Sequence, residues 1–166
     1  MKYLCVALFL GSLIYFFIPY FPEKFPEIDL IRIEKEKRLM HVYHKEHLLK
    51  TYTIALGFSP KGHKMLEGDG KTPEGLYFIS MKNPKSKFYL SVKISYPNSQ
   101  DLQNALKNNV SSGGNIMIHG LPYFLGWTWR FHDFIDWTAG CIAVTNREIE
   151  EIYTATSIGT KVEILP

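Results

Sequence analysis

Cysteine is scarce in this chain of 166 residues, which contains only Cys5 and Cys141. Cys5 lies in an uncharged apolar run near the N-terminus, so the remainder of the chain has one thiol and forms no internal disulfide. Disulfides are therefore excluded as its source of stability. A buried core thiol is the commoner fate of a lone cysteine, but its isolation also makes a reactive role for Cys141 an alternative.

The chain also lacks a strong excess of charge of either sign. It has 19 Lys and Arg residues against 16 Asp and Glu, for a formal net charge of +3. Nucleic-acid binding requires a concentrated basic surface, so a nucleic-acid partner is not expected. Internal repeats and low-complexity segments are absent as well. With 46% hydrophobic residues, the composition is that of a globular domain.

The first residues are interpreted as a targeting segment. Tyr3 to Phe21 contains no charged residue, and a run of this length is near that needed to cross a bilayer as a helix. No small-residue cleavage site follows it, which favours a retained anchor over a cleaved signal peptide. We predict a signal anchor over 1–22, a linker over 23–28 and one domain over 29–166, placed outside the membrane.

Alternating apolar residues predict strands through much of the predicted domain. Helical spacing predicts a first helix between Asn98 and Val110, with an apolar face that includes Leu102 and Leu106. Thr145 followed by Glu148 matches a capping box and predicts a second helix. The predicted strands lie within 28–56, with a hairpin tip at 43–47, and at 76–79, 88–94, 115–119, 142–144 and 161–165. The predicted fold is mainly β with two helices.

Two other polar patterns have ordinary structural explanations. Gly70-Lys71-Thr72 resembles the end of a phosphate-binding loop, but Met65 stands where its first glycine is required. The nearby Glu67, Asp69 and Glu74 form either a paired-carboxylate site or, more commonly for such a turn, acceptors for loop amides.

Histidine spacing offers two weak metal-site alternatives. His41, His44 and His47 are spaced as surface residues of a strand pair and lack a fourth ligand. The other alternative combines Cys141 and His119 with His132 and with Asp133 or Asp136, without the short Cys-x-x-Cys spacing of a zinc site. We therefore expect no metal and no cofactor.

The strongest chemical signal combines a histidine that ends a short apolar strand with a cysteine that follows a tight turn. His119 ends the first segment, and Cys141 follows Ala139-Gly140. A free thiol is mostly protonated at neutral pH, and an imidazole can accept its proton and later protonate a leaving amine. The amides of Ala139, Gly140 and Cys141 are candidate donors to a developing oxyanion.

These residues resemble the active-site signature of the L,D-transpeptidase (YkuD-type) catalytic domain. The pair His119-Gly120 and the segment Thr138-x-Gly140-Cys141 carry the resemblance, which extends over about residues 29–165. Further matching segments are Glu67 to Gly75, Asn83-Pro84, Ser95 to Asn98 and Asp136 to Thr138.

The resemblance implies a β-sandwich-like fold and an acyltransferase that acts on diaminopimelate-containing stem peptides of peptidoglycan. It also implies Cys141 as the nucleophile that forms a thioester, His119 as the base and the Gly120 carbonyl as the group that orients it. The location that follows is the bacterial cell envelope, with an inner-membrane anchor and a periplasmic domain.

The sequence departs from the common family pattern at two positions. Ala139 and Ala143 stand where many members have a histidine and an arginine. Without that arginine a bidentate carboxylate clamp is missing, and the Ala-Gly-Cys-Ile-Ala form is similar to a subgroup of peptidoglycan amide hydrolases. A hydrolase that releases peptides or an attached lipoprotein, and a non-catalytic wall-binding module, remain alternatives to the transferase.

An aromatic-rich connection over 121–137 precedes the cysteine. It forms either a substrate groove or part of the core. From this region we expect Arg130, Trp137 and Thr138 to bind substrate.

Overall fold

The computed structural model describes residues 25–122 and 135–166. Within these residues the chain forms eight strands and two helices. The strands are β1 (Leu30–Glu34), β2 (Leu39–His44), β3 (His47–Thr53), β4 (Gly75–Ser86), β5 (Tyr89–Ile94), β6 (Met117–His119), β7 (Ile142–Ala143) and β8 (Lys161–Leu165), and the helices are α1 (Ser99–Lys107) and α2 (Asn146–Ala155).

The first three strands form an antiparallel meander. The tip between β2 and β3 consists of Lys45 and Glu46, which have φ angles of 46° and 68°. Two consecutive positive φ angles are typical of the tight hairpin turn whose twist matches that of the flanking strands. The predicted hairpin tip at 43–47 is therefore confirmed.

All eight strands belong to one sheet with the order β3-β2-β1-β8-β4-β5-β6-β7. Two pairs, β1 with β8 and β6 with β7, are parallel. Ala55, just after the β3 edge, forms an antiparallel bridge to Ala143 in the β7 edge. The sheet therefore curls until its two edges meet. This confirms the predicted fold class, which is mainly β with two helices.

The core lies inside the curl and is covered by one face of α2. Ile149 and Ile152 of this helix are fully buried together with inward residues such as Val92, Ile118 and Ile142. The helix begins as predicted: Thr145 Oγ1 accepts from Glu148 N, and the Glu148 carboxylate accepts from Thr145 N. This capping box fixes the direction in which the chain leaves β7.

The first helix lies where it was predicted, with Asn98 as its cap, but its buried face differs from the expected one. Asp101 and Ala105 are buried, whereas Leu102 and Leu106 are 48% and 78% exposed. The Asp101 carboxylate accepts hydrogen bonds from Tyr77 Oη and Asn98 N. A buried polar anchor therefore determines the rotation of α1, which the apolar pattern alone did not reveal.

Strand lengths differ from the predicted ones at β4 and β6. β4 continues through Asn83-Pro84 to Ser86, where a register shift relative to β5 accommodates a residue that cannot donate a backbone hydrogen bond. β6 begins only at Met117, because Asn115 has a φ of 57°. Neither helix in the described part of the chain has the length and apolarity needed to cross a bilayer.

Candidate active site

The register of β6 and β7 places the predicted histidine and cysteine on neighbouring strands. Ile118 pairs with Ile142 and His119 with Ala143, in parallel orientation. Cys141 immediately precedes β7, so it lies two positions before the partner of His119. With ordinary strand spacing and rise, the two Cα atoms are about 8 Å apart. Tertiary pairing thus brings the two candidate catalytic residues into one site.

The imidazole of His119 is buried and held from three sides. Its Nδ1 lies 2.7 Å from the Gly120 carbonyl oxygen. The Phe88 ring stacks on it at a centroid distance of 4.4 Å, and Trp137 meets it edge-on at 5.7 Å. Because a carbonyl can only accept, Nδ1 carries the hydrogen and Nε2 is the basic nitrogen. This is the Gly120 contact that the family resemblance implied.

Burial lowers the pKa of His119, and the hydrogen bond to Gly120 opposes this effect. The imidazole is therefore neutral at neutral pH, the form in which it can accept a proton. Glycine is required at 120 because a Cβ there would lie 2.6 Å from Asn146 Oδ1. That same oxygen accepts a hydrogen bond from Leu121 N at 2.7 Å, so α2 closes the back of the histidine position.

Cys141 is half-buried, and its sulfur lies against the start of β6. The thiol donates to the Asn115 carbonyl oxygen at 3.6 Å. Burial raises the pKa of Cys141, while a hydrogen bond from the Met117 amide and the positive charge of Lys64 oppose the rise. At neutral pH the residue is a thiol, so a nucleophilic role requires removal of its proton by a base.

Thr138 builds the turn that presents the cysteine. Its hydroxyl donates to the Cys141 carbonyl oxygen at 2.7 Å and accepts from Gly140 N at 3.1 Å. The residue is 5% exposed. Its hydroxyl is therefore used within the turn, where it positions Cys141, and the expected role of Thr138 in substrate binding stays a prediction. Gly140 N is likewise engaged, which leaves the amides of Ala139 and Cys141 as candidate oxyanion donors.

The turn also depends on glycine. Gly140 has a φ of 125°, and a Cβ on it would lie 2.6 Å from the Lys71 carbonyl oxygen. A Cβ on Gly57 would lie 2.9 Å from the Gly140 Cα and 2.1 Å from the Gly70 carbonyl oxygen. The cysteine turn (Thr138–Cys141), the segment after β3 and the segment Gly70-Lys71 are therefore in backbone contact at one point.

Asp136 ties this turn to the opposite end of the chain. Its carboxylate accepts from Arg38 Nε and Nη2, the latter at 2.7 Å, and from Leu56 N at 2.9 Å. Arg38 lies in the β1–β2 turn and Leu56 follows β3. Arg38 and the Leu56 amide, from two separate segments, thus fix Asp136 at the start of the Asp136–Cys141 segment. Asp136 therefore has a structural role.

The glycine-rich loop, defined here as residues 64–72, packs behind the cysteine turn, and Asp69 organises it. The carboxylate accepts from three loop amides, at Met65, Leu66 and Lys71, and from Lys64 Nζ at 2.7 Å. Burial raises the pKa of Asp69, but these hydrogen bonds outweigh it and hold the value at about 2. The interpretation of this carboxylate as an acceptor for loop amides is therefore confirmed.

Glu67 and Glu74 also have local partners. Glu67 accepts from Ser111 Oγ, and Glu74 accepts from Lys35 Nζ. His41 pairs with Thr51 and Glu34 on the sheet surface. Over residues 25–122 and 135–166, no three His, Cys, Asp or Glu side chains are grouped so that they could hold a metal ion.

Several predicted residues fall outside the part of the chain that is described. Arg130, His132 and Asp133, and most of the aromatic connection, belong to the segment 123–134. Trp137 is described, is half-buried, and packs against the His119 ring.

Three residues of the site were not predicted from the sequence. Phe88 stacks on the imidazole, and Lys64 is a buried cation behind the cysteine turn. Ser91 pairs with His119 across β5 and β6, and its buried hydroxyl has no hydrogen-bond partner among the described residues. These residues are distant from His119 and Cys141 in the sequence, and only strand pairing and loop packing bring them together. No local sequence pattern therefore predicts that they belong to the site.

Comparison with known families identifies the arrangement. The sequence pattern of the L,D-transpeptidase catalytic domain (YkuD) matches residues 28–164. The chain belongs to the L,D-transpeptidase family. It is 32% identical over 129 residues to YafK of Escherichia coli strain K12, a protein assigned to the L,D-transpeptidases, in an alignment that covers 74% of this chain and 45% of YafK.

Solved structures of L,D-transpeptidase relatives share the fold. Pgp2 from Campylobacter jejuni, described as a helical cell shape determining protein, is 26% identical with a TM-score of 0.65, over 84% of this chain and 48% of Pgp2. An L,D-transpeptidase from Mycobacterium smegmatis has a TM-score of 0.55 at 13% identity, over 82% of this chain and 58% of that one, and shows the fold alone. The chain spans less than half the length of YafK and Pgp2.

Proposed function

We propose that this L,D-transpeptidase-family domain is a peptidoglycan-modifying cysteine acyltransferase that acts on diaminopimelate-containing stem peptides through a Cys141 thioester. The observation that carries the proposal is the parallel pairing of β6 and β7: a neutral, oriented imidazole lies on β6, and a half-buried thiol lies immediately before β7, two register positions away. Family membership over residues 28–164 supports the substrate class.

The proposed reaction has two balanced steps. The thiol turns from the Asn115 carbonyl toward the imidazole, and His119 Nε2 takes its proton as sulfur bonds to the peptide carbonyl carbon. The C–N bond then breaks, and the leaving amine receives the proton from His119. In the second step an amine attacks the thioester, gives its proton through His119 to sulfur, and regenerates the thiol.

The transient oxyanion of each step needs hydrogen-bond donors. We assign this role to the amides of Cys141 and Ala139, since Gly140 N is bonded to Thr138 Oγ1. Removal of one such donor in other acyl-transfer enzymes costs about 3 kcal/mol of transition-state stabilisation. Trp137, half-buried beside the imidazole, is the described aromatic residue that we propose contacts the stem peptide.

A hydrolase is a second candidate, and Ala143 favours it. Its backbone N and O bond to Ala55 at 2.8 and 3.0 Å, and its side chain is fully buried. The arginine of many family members has no equivalent at this position, so a carboxylate clamp is absent there. A substrate whose carboxyl is engaged in an amide, as in a lipoprotein attached to peptidoglycan, suits such a site, with water as the attacking group.

Intact-mass analysis after incubation with a carbapenem tests whether Cys141 is an acylated nucleophile. The folded, reduced protein should gain one adduct, and Cys141→Ala should gain none. His119→Gln should keep the fold by circular dichroism but acylate at least about a hundredfold more slowly, the usual contribution of a general base. A wild-type protein that is folded and reduced but stays unmodified would contradict the proposal.

Muropeptides that contain diaminopimelate separate the two reactions. Cross-linked product in mass spectra indicates transfer, whereas shortened or released peptide indicates hydrolysis. A protein that binds peptidoglycan equally well with Cys141→Ala, and converts no muropeptide, would instead support the wall-binding module.

We also propose an envelope location, with residues 1–22 as a membrane anchor and 29–166 on the far side of the inner membrane. The charge-free run from Tyr3 to Phe21 supports this proposal. Protease added to spheroplasts should degrade the domain, and carbonate washing should leave the full-length chain in the membrane. Recovery of the chain in the wash would contradict the anchor.

A further inference from the structure

Lys64 is a buried cation whose position the proposed reaction has not yet used. The residue is 3% exposed, and its Nζ bonds to Asp69 Oδ1 at 2.7 Å and to the Leu66 carbonyl oxygen at 3.0 Å. Burial of an ammonium is costly unless the charge is paired. Both partners belong to the glycine-rich loop, so this loop encloses a fixed positive charge.

The loop that carries Lys64 packs against the backbone of the cysteine turn. The Lys71 carbonyl oxygen would lie 2.6 Å from a Cβ on Gly140, and Gly57 N donates to Thr72 Oγ1 at 3.1 Å. Asp69 links the two ends of the loop, since it accepts from both Lys64 and Lys71 N. The charge therefore keeps a fixed relation to the residue before the nucleophile.

We propose that Lys64 is an electrostatic positioning residue for Cys141. The buried ammonium of Lys64 stabilises the negative charge that develops on sulfur and then on the substrate carbonyl oxygen. The proposal rests on the function proposed above. A fixed charge in a site of low dielectric acts more strongly than a solvated one and needs no reorganisation during the reaction. The hydrogen bonds of Lys64 among the described residues are to Leu66 and Asp69, so it acts through the field at the thiol.

Among the described residues, Lys64 is the cation whose charge lowers the pKa of Cys141 against the larger effect of burial. Asp69 partly neutralises it, and His119 is neutral. Lys93, from β5, is bonded to Asn115 Oδ1 on the exposed side.

A matched control exists in the same part of the fold. Lys35 is 2% exposed, and its Nζ bonds to Glu74 and to the Thr72 and Gly62 carbonyl oxygens. It is thus a second buried lysine that pairs with a carboxylate, and its bonds to Gly62 and Thr72 stabilise the residues that flank the glycine-rich loop. Its removal imposes a similar structural loss without removing the charge that acts on Cys141.

The test is the pH dependence of iodoacetamide alkylation of Cys141 in the full chain, followed by mass spectrometry of the peptide that contains Cys141, so that Cys5 is measured separately. Lys64→Met should move the midpoint to higher pH and slow alkylation at pH 7.5 by at least about threefold. Lys64→Arg should stay near wild type. Asp69→Asn, which removes the compensating negative charge, should move the midpoint to lower pH.

Opposite shifts for Lys64→Met and Asp69→Asn support an electrostatic role, because loss of loop structure alone would move both in one direction. Lys35→Met should leave the midpoint unchanged. The proposal would be overturned by midpoint shifts of the same sign in Lys64→Met and Asp69→Asn, or by a Lys35→Met shift equal to that of Lys64→Met. An unchanged midpoint in a folded Lys64→Met protein would also overturn it. Alkylation reports on the thiol whether or not muropeptides are converted, so failure of the proposed function is seen separately.

Discussion

At the scale of single residues, the site combines two groups that burial keeps uncharged. Burial is the larger influence on both, lowering the pKa of His119 and raising that of Cys141. The expected resting state is therefore a neutral thiol beside a neutral imidazole, and in the proposed mechanism the thiol loses its proton only as it attacks. In that mechanism the imidazole is the base, and the fixed charge of Lys64 reduces the cost of the developing anion.

The stability of the domain should depend on pH through His119. As the pH falls below about 6.5, the unfolded chain takes up a proton that the folded state resists. The free energy of unfolding should therefore decrease as pH falls through the lowered folded-state pKa, by at most about 1.4 kcal/mol per pH unit for this one group. Urea denaturation between pH 7.5 and 4.5 measures the effect.

His119→Gln is the control for this dependence, since it removes the titrating group. The stability difference between wild type and variant should shrink toward low pH, because only the wild type loses stability from this histidine. Stability curves that stay parallel over the whole range would contradict the assignment of a buried, neutral His119.

At the scale of elements, the cysteine turn is made from backbone contacts that only small residues permit. We expect Gly140→Ala to destabilise the domain by about 3 kcal/mol or more, because it combines a positive φ with a Cβ that would clash with the Lys71 carbonyl oxygen. Displacement of the turn should also lower the rate of Cys141 acylation. Thermal unfolding and intact-mass kinetics measure the two effects.

Gly159→Ala separates backbone strain from steric clash. Gly159 also has a positive φ, of 94°, but a Cβ on it would meet nothing within 4 Å. It should cost only about 1–2 kcal/mol and leave acylation unchanged. Equal losses of stability in the two variants would show that contact with the glycine-rich loop is not what requires glycine at position 140.

At the scale of the whole molecule, the site forms where the curled sheet closes on itself. Its closure is made by the Ala55–Ala143 bridge and by Asp136, which joins the β1–β2 turn to Leu56 in the segment after β3. Distant segments therefore hold Cys141, the proposed nucleophile, and we expect its reactivity to be sensitive to their mutual position.

Asp136→Ala should weaken this closure. It leaves Arg38 and Leu56 N without their shared acceptor, for an expected loss of about 2 kcal/mol, the scale of a hydrogen bond to a charged group. Limited proteolysis should cut the segment before Cys141 faster than in wild type, while Glu163→Ala, which breaks the partly exposed Arg32 pair on the sheet, should not change the cleavage. Unchanged stability and cleavage in Asp136→Ala would contradict the structural role of this carboxylate.

Local signals in the sequence were sufficient for most of the elements, though not for the lengths of β4 and β6. They predicted the hairpin tip within 43–47, the final strand Lys161–Leu165 and, through the capping box, the start of α2, because each depends on neighbours a few residues apart. The motif residues His119, Gly120 and Cys141 were likewise named from the sequence. The rotation of α1 was not, because it depends on Tyr77 and its contact with Asp101.

The sequence by itself determined the strand and helix types, the family resemblance and the identity of the thiol and the imidazole. The tertiary structure alone decided that Thr138 builds the turn, that Phe88 covers the imidazole and that Lys64 lies buried behind the cysteine turn. The physical reason is that side-chain periodicity and turn chemistry are local, whereas burial, register and the field at a thiol depend on segments that meet only when the sheet closes.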